Sequence, residues 1–386
     1  MTTVTREQMA AKMLSLDTVY DRLRQTEPLE SITITPTTPV HFELTDGWEA
    51  EVAALGPNDS TQAKIVVGDQ DFHMTRDAAL QACANVGLTG AYVRKTPGEL
   101  VQAHLDYHYS HGVDGKEMNA LIVKDNLAAF SSAKIKPFSN ITLLDQALDV
   151  MTQRYGENAD IRADYKFNNS LLDTNVRLVA LEQGRTITGG GMSDIPSGAD
   201  DVWYPGVTMH NSLAGKSMSA FDVFMFRLWC TNGAITTLDA VGAWNRHLNA
   251  QNEQEVYEWA RSSVDEILGG MEQQFASIQA LTQLHLGGST AEVLREIFSE
   301  WGIPVSQRDA IRELLLGAES LNMYTLMNSI TQVANEGDIS DARRDRLMRI
   351  GGSLPTRHYN NLKARVWNEG HTSTEDVNPY ELVIGQ

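Results

Sequence analysis

Apolar and polar positions alternate along this chain with two different periods, and the period changes several times. Residues 5–25 place Met9, Met13, Leu14 and Val19 on or near one side of a helix, which predicts a short amphipathic helix. Residues 31–68 read as β, because "SITITPTTPVHFELTDGWEAEVAAL" alternates, "TDGW" carries a turn signal and "AKIVVGD" forms a further strand. A helix follows in "MTRDAALQACANVGL", with Thr75 as its N-cap and Gly87 as its stop. "KTPGELVQAHLDYHYSHG" has a capping-box layout: Thr96 as N-cap, Pro97 as the first helical residue, Glu99 at the third position and Gly112 as the stop.

Residues 119–133 predict a strand hairpin turning at Lys124-Asp125-Asn126, 139–156 an amphipathic helix, and 159–182 two strands. The Gly- and Pro-containing stretch 184–204 predicts a mobile loop. Residues 207–229 return to β, and from about 252 helix formers dominate. Val264, Met271 and Ile278 recur seven apart within 253–285, which predicts a helix about 50 Å long with a kink at Gly269-Gly270. The fold expectation is α+β, an antiparallel sheet or hairpins with packed helices followed by a helical C-terminal region. Its divisions are 1–60 (helix and strands), 61–250 (α+β core) and 251–386 (helical).

Charge changes this picture in one respect. Of the 386 residues, 31 are Lys or Arg and 50 are Asp or Glu, a net charge of −19. The excess is uneven: residues 1–60 carry 4 basic and 10 acidic side chains, 61–140 carry 8 of each, and 251–350 carry 8 and 16. Such a chain repels nucleic acid at long range, so only local basic patches can reverse that. Two distant cysteines, Cys83 and Cys230, argue against a disulfide scaffold or a cysteine zinc site. No stretch approaches the ~20 apolar residues of a membrane span, and the N-terminus lacks a secretory pattern. These features predict a protein of a reducing cytoplasm with no membrane partner.

Candidate chemistry concentrates in "HNSLAGKSMSAFDVFMFRLWCTNGAI", residues 210–235. A phosphate-binding loop requires Gly four residues ahead of Gly-Lys-Ser, and His210 stands there. A hairpin turn with Gly215 at its tip is the better reading. Cys230 follows Phe224, Phe226, Leu228 and Trp229, which suits a buried structural thiol rather than a nucleophile. Arg227 is expected to pair with a carboxylate such as Asp222 or Asp239. The run resembles the signature of the phage/plasmid-like protein family, a domain of unknown function encoded by bacteriophages and plasmids. The matching positions are Gly206, Val207, Asn211, Ser212, Gly215, Arg227, Leu228, Cys230, Asn232 and Gly233. Residues 87–107 and 357–367 are similar to two further segments of that family. The resemblance implies a mobile-element protein acting in a bacterial cell, with these residues in structural roles, and it carries no catalytic set.

Two other constellations remain. His104, His108 and His111 share a helical face at spacings that could hold a metal, with Asp106 on the wrong side to complete it; the alternative is imidazoles favoured at a helix C-terminus. Basic and aromatic residues interleave at Lys134, Lys136 and Phe138, at Arg162, Tyr165, Lys166 and Phe167, and at Arg357, Tyr359, Lys363, Arg365 and Trp367. Such platforms suit single-stranded DNA or RNA, with phosphates on cations and bases on rings. The basic run 341–349 is expected to be a solvated, salt-bridged face. The leading functional expectation is a non-enzymatic, homo-oligomeric protein that binds single strands in DNA replication, recombination or annealing, with no cofactor. The alternatives are a phage assembly protein acting through its acidic helices, and a metal enzyme using the three histidines.

Overall fold

The computed structural model describes residues 10–11, 13–28, 30–134, 138–164, 167–192, 200–217, 219–227, 232–236, 253–286, 294–295, 297–299, 301–336, 339, 341–356 and 366–368. The first helix, α1 (Leu16–Thr26), is capped by Ser15, whose hydroxyl accepts the Thr18 amide, and it buries Val19 and Leu23. The chain then runs through β1 (Glu30–Ile34), β2 (Val40–Glu43), α2 (Trp48–Ala54), β3 (Ser60–Val67), β4 (Gln70–Thr75), α3 (Arg76–Asn85), α4 (Gly90–Val93), α5 (Gly98–Ser110), β5 (Met118–Val123) and β6 (Asn126–Ser132). The six strands form one sheet in the order β1-β5-β6-β4-β3-β2, antiparallel except for the β4–β6 pair. Alternation is clean in β3, where Thr61, Ala63, Ile65 and Val67 point inward. They pack against Trp48, Ala79, Val101 and Leu105 from the helices.

Two expectations in this part need correction. "WEAEVAA" is a helix rather than β, because Trp48 and Val52, four apart, are its buried pair. Helix α5 starts at Gly98 without a side-chain cap, and the Thr96 hydroxyl instead donates to the Tyr92 carbonyl at the end of α4. The other punctuation is as expected. Thr75 caps α3, Gly87 and Gly112 take positive φ, and Lys124 and Asp125 (φ 48° and 65°) make the two-residue turn of the β5–β6 hairpin.

The second part opens with α6 (Asn140–Tyr155), capped by Ser139 and stopped at Gly156. Strands β7 (Ile161–Ala163), β8 (Asn168–Asn169), β9 (Thr174–Ala180), β10 (Arg185–Ile187), β11 (Asp201–Asn211), β12 (Ala220–Arg227) and β13 (Asn232–Thr236) follow. They form a seven-stranded antiparallel sheet with the main order β13-β12-β11-β9-β7. The described parts of the 184–204 segment are therefore not a free loop: β10 pairs with the start of β11, and Ile187 and Met192 are buried, while 193–199 lie outside the described residues.

Helices α7 (Glu253–Gly269), α8 (Met271–Leu281), α9 (Val305–Leu316), α10 (Met323–Glu336) and α11 (Asp341–Gly352) enclose this sheet, and β14 (Leu284–Leu286) pairs with β15 (Val366–Asn368). The expected single helix over 253–285 is broken at Gly270, where two adjacent glycines supply little helix propensity, and its last residues form β14. Val176, Val207 and Phe224 of the sheet share one core with Val264, Ile278, Tyr324 and Met348 of the helices, and α1 joins it through Val19 and Leu23. The divisions at 60 and 250 do not follow these cores. One core is built from residues 30–132, the other from α1 together with residues 138–354. No helix among the described residues is long and apolar enough to cross a membrane.

Candidate functional site in the seam between the two sheets

The two bodies meet along a small apolar strip. Leu121, Ala128 and Ala129 of the β5–β6 hairpin pack against Leu171, Leu213 and Ala214. Leu213 and Ala214 belong to the β11–β12 turn, whose geometry is set by Gly215 (φ 66°) and by the Ser212 hydroxyl accepting the Lys216 amide. The Ala214 amide bonds the Leu171 carbonyl, Asn58 donates to the Asn169 carbonyl, and the Thr26 hydroxyl donates to Asn169 Oδ1. The turn that resembles a phosphate loop is thus the clasp between the bodies.

Three hollows border this clasp. One, of 440 Å³, lies between Arg22 and Gln25 of α1, Asn58 and Asp59, the Lys124 turn, and Phe167 and Asn169. The Arg22 guanidinium sits 5.7 Å above the Phe167 ring, a cation–π arrangement. A second, of 740 Å³, is lined by α3, by Gly90, Val93 and Arg94, and by Ser170, Asp173 and Lys216. A third, of 370 Å³, shares Gln81, Ala84 and Lys216 with the second and adds Lys116, Met118 and Phe130. Five Lys and Arg side chains line the three hollows against four Asp and Glu, whereas the chain as a whole is strongly acidic. One of those acids, Asp77, has its pKa raised by desolvation, with Arg76 and Lys216 pulling it back. Cys83, on the wall of the largest hollow, is pushed up to about 12 by burial, so it presents a thiol and not a nucleophilic thiolate.

The predicted basic-aromatic platforms fare unequally. Phe167 reaches the seam. Arg162 does not: its Nε donates to Asp160 at 2.8 Å and its Nη1 to the Ala10 carbonyl, so the cation is consumed within its own body. Lys134 is exposed beside Ser132 at the rim of the third hollow. Lys136, Tyr165, Lys166, Arg357, Tyr359, Lys363 and Arg365 lie outside the described residues, and Trp367 is described only as a backbone partner of His285. Arg22 carries no sequence signal of its own, and Lys124 is legible only as a hairpin turn. Each lies far along the chain from Phe167, and only folding brings the three together.

The three histidines do not converge. His104 and His108 stack at 4.7 Å, whereas His111 turns its Nδ1 to the Tyr107 carbonyl. Asp106 is taken by the Phe42 amide and by His41. Among the described residues no group of three or more His, Cys, Asp or Glu is placed to hold a metal ion.

The signature residues of 205–235 have structural environments. A Cβ at Gly206 would lie 2.1 Å from the Leu178 carbonyl, so only glycine lets β9 and β11 approach. Asn211 donates to the Phe138 carbonyl and to Asn140, and accepts from Ser219. Arg227, fully buried, pairs with Asp201 rather than with Asp222: its Nε and Nη2 meet the two carboxylate oxygens at 2.8 and 3.1 Å. Tyr324 also donates to Asp201 and accepts from Trp203 Nε1. Asn232 and Gly233 continue the ladder opposite Arg227 and Phe226, and Cys230 lies outside the described residues.

Asp222 instead holds Arg349 of α11 at 2.8 Å and His210 at 3.3 Å. Arg177 reaches Asp164 and, at 2.8 Å, Asp345. The 341–349 run is therefore salt-bridged, as expected, but only partly solvated, with Arg343 and Arg346 exposed and Leu347 and Met348 buried. It crosses into the sheet through Asp345 and Arg349, and Arg344 and Arg346 donate to the Ala334 and Gly302 carbonyls.

No family model, no curated protein and no solved structure matches this chain.

Proposed function

We propose that the chain binds single-stranded nucleic acid in the seam, with a base against Phe167 and the backbone near Arg22 and Lys124. The observation that carries this reading is the Arg22–Phe167 pair on the wall of the 440 Å³ hollow, opposite the Lys124 turn. Rings supply sequence-tolerant stacking and cations supply phosphate contacts. The near balance of charge in the seam, within a chain of net charge −19, supports local recognition without long-range steering. The resemblance of residues 205–235 to phage- and plasmid-encoded proteins is consistent with a role in replication, recombination or annealing of a mobile element. On this reading the protein binds its strand without transforming it.

Anisotropy of a labelled oligonucleotide, titrated at two salt concentrations, tests the proposal. Wild type should bind at low salt and weaken as salt rises. Arg22→Ala with Lys124→Ala should weaken binding about tenfold or more without lowering the melting temperature, since both residues are exposed. Absence of wild-type binding at low salt would sink the reading. Mass photometry on the same samples checks the proposed homo-oligomer.

A further inference from the structure

Helix α5 lies in the chain between two segments that line adjoining hollows. The residues just before it, Gly90, Val93 and Arg94, line the 740 Å³ hollow, and those just after it, Val113 and Lys116, line the 370 Å³ one. Its inner face is spent on the core: Val101, Leu105 and Tyr109, at intervals of four, are buried. Its outer face carries rings the fold does not use. His104 stacks on His108 at 4.7 Å, Tyr107 meets His108 edge-on at 5.3 Å and His111 at 4.8 Å. Tyr107 is 63% exposed, and Leu100, one turn or two ahead, is 55% exposed. Leaving Tyr107, His111 and Leu100 in water gains nothing for stability and marks an interaction surface.

We infer that this ladder is a second stacking platform for the same single strand, carrying it on from the Arg94 wall of the 740 Å³ hollow along the outside of α5. The inference rests on the seam reading proposed above. Three features favour nucleobases over a protein face. The face is built mainly of flat rings in mutual stacking or edge contact, Tyr107 the most exposed and His104 and His108 half-buried, with Leu100 as its exposed aliphatic neighbour. The exposed cations Arg94 and Lys95 stand at the entry of the helix, where a backbone would pass. Asp106, the acid nearest the rings in sequence, is turned onto the Phe42 amide and His41 and does not oppose phosphate. Seven residue steps from His104 to His111, at 1.5 Å each, add about 10 Å of contact.

The test is a length series of homopolymeric deoxyoligonucleotides bound to wild type, to Tyr107→Ala/His108→Ala and to Arg22→Ala, with melting temperatures as the folding control. Wild type should gain affinity as the oligonucleotide lengthens past what the seam holds. The Tyr107/His108 variant should lose that gain, about tenfold or more on long oligonucleotides, while binding the shortest like wild type. Tyr107→Phe with His108 intact should keep it. An iododeoxyuridine-substituted oligonucleotide, irradiated and digested, should cross-link to the peptide containing Tyr107. If the variant matches wild type at every length while Arg22→Ala loses binding, the ladder is refuted and the seam reading stands. If wild type binds no oligonucleotide, both fall. A dimer dispersed by the Tyr107/His108 variant, with oligonucleotide affinity unchanged, would assign this face to a second copy of the chain and overturn the inference.

Discussion

Strand β3 of the first sheet and strand β12 of the second differ in what they do with polar residues. In β3, Ser60, Gln62 and Lys64 face outward between buried Thr61, Ala63 and Ile65. Every residue of β12 is buried, including Asp222 and Arg227. Helices cover both faces there: Phe221 packs on Trp259 of α7, and Asp222, its neighbour on the opposite face, is held by Arg349 of α11. A strand with a wet face can leave its charges to water. A strand with none must find each charge a partner, and those partners come from elements 26 to 127 residues away. Such pairs add little net stability over an apolar substitute, but losing one partner strands the other in low dielectric.

The sharpest way to break the contrast is to remove one cation from each sheet. Arg227→Ala leaves the buried Asp201 carboxylate without its cation and should cost ~3–5 kcal/mol, a loss that a denaturant melt would register as a large fall in midpoint. Lys64→Ala removes a half-exposed amine 4.0 Å from exposed Asp71 and should cost less than ~0.5 kcal/mol. Equal shifts for the two would show that the second sheet is no more dependent on its ion pairs than the first.

The seam allows the two bodies to be compared as units. Leu213 is buried at the clasp, and Leu213→Ala should cost ~2–4 kcal/mol through lost contacts and the cavity left behind. Because those contacts join two separately built cores, calorimetry should show one transition becoming two. A single shifted transition would mean that the bodies unfold together by other links, such as Asn58 to the Asn169 carbonyl.

A smaller effect concerns pH. Burial alone raises the pKa of Asp222, but hydrogen bonds and charges from His210 and Arg349 outweigh it, so its folded value is lowered. A carboxylate with a lowered folded pKa contributes stability that is present above the ordinary aspartate range, about pH 4, and lost as pH falls through the lowered value. Wild type should therefore lose stability on acidification below about pH 4 more steeply than Asp222→Asn. Parallel acid limbs for the two would remove Asp222 from this account.

What the sequence carries by itself is local. Thr75 and Ser139 announce helix starts, because a hydroxyl accepting a free amide is decided within three residues. The start at Ser15 escapes the pattern, since Met13 and Leu14 of the expected 5–25 helix lie before α1 and Leu14 bridges Ala163 instead. The Lys124-Asp125 turn, the break at Gly270 and the hairpin at Gly215 are legible for the same reason: backbone freedom belongs to the residue itself. Phe167 was a visible candidate because an aromatic beside cations is a chemical pattern. Partners across the fold were not visible. That Arg227 takes Asp201 and not Asp222, that Arg162 turns to Asp160, and that Arg349 leaves a basic run for the sheet depend on strand register and helix packing. Many carboxylates in the sequence could serve each arginine equally well, and only burial of the sheet between its helices decided which one stood within 3 Å.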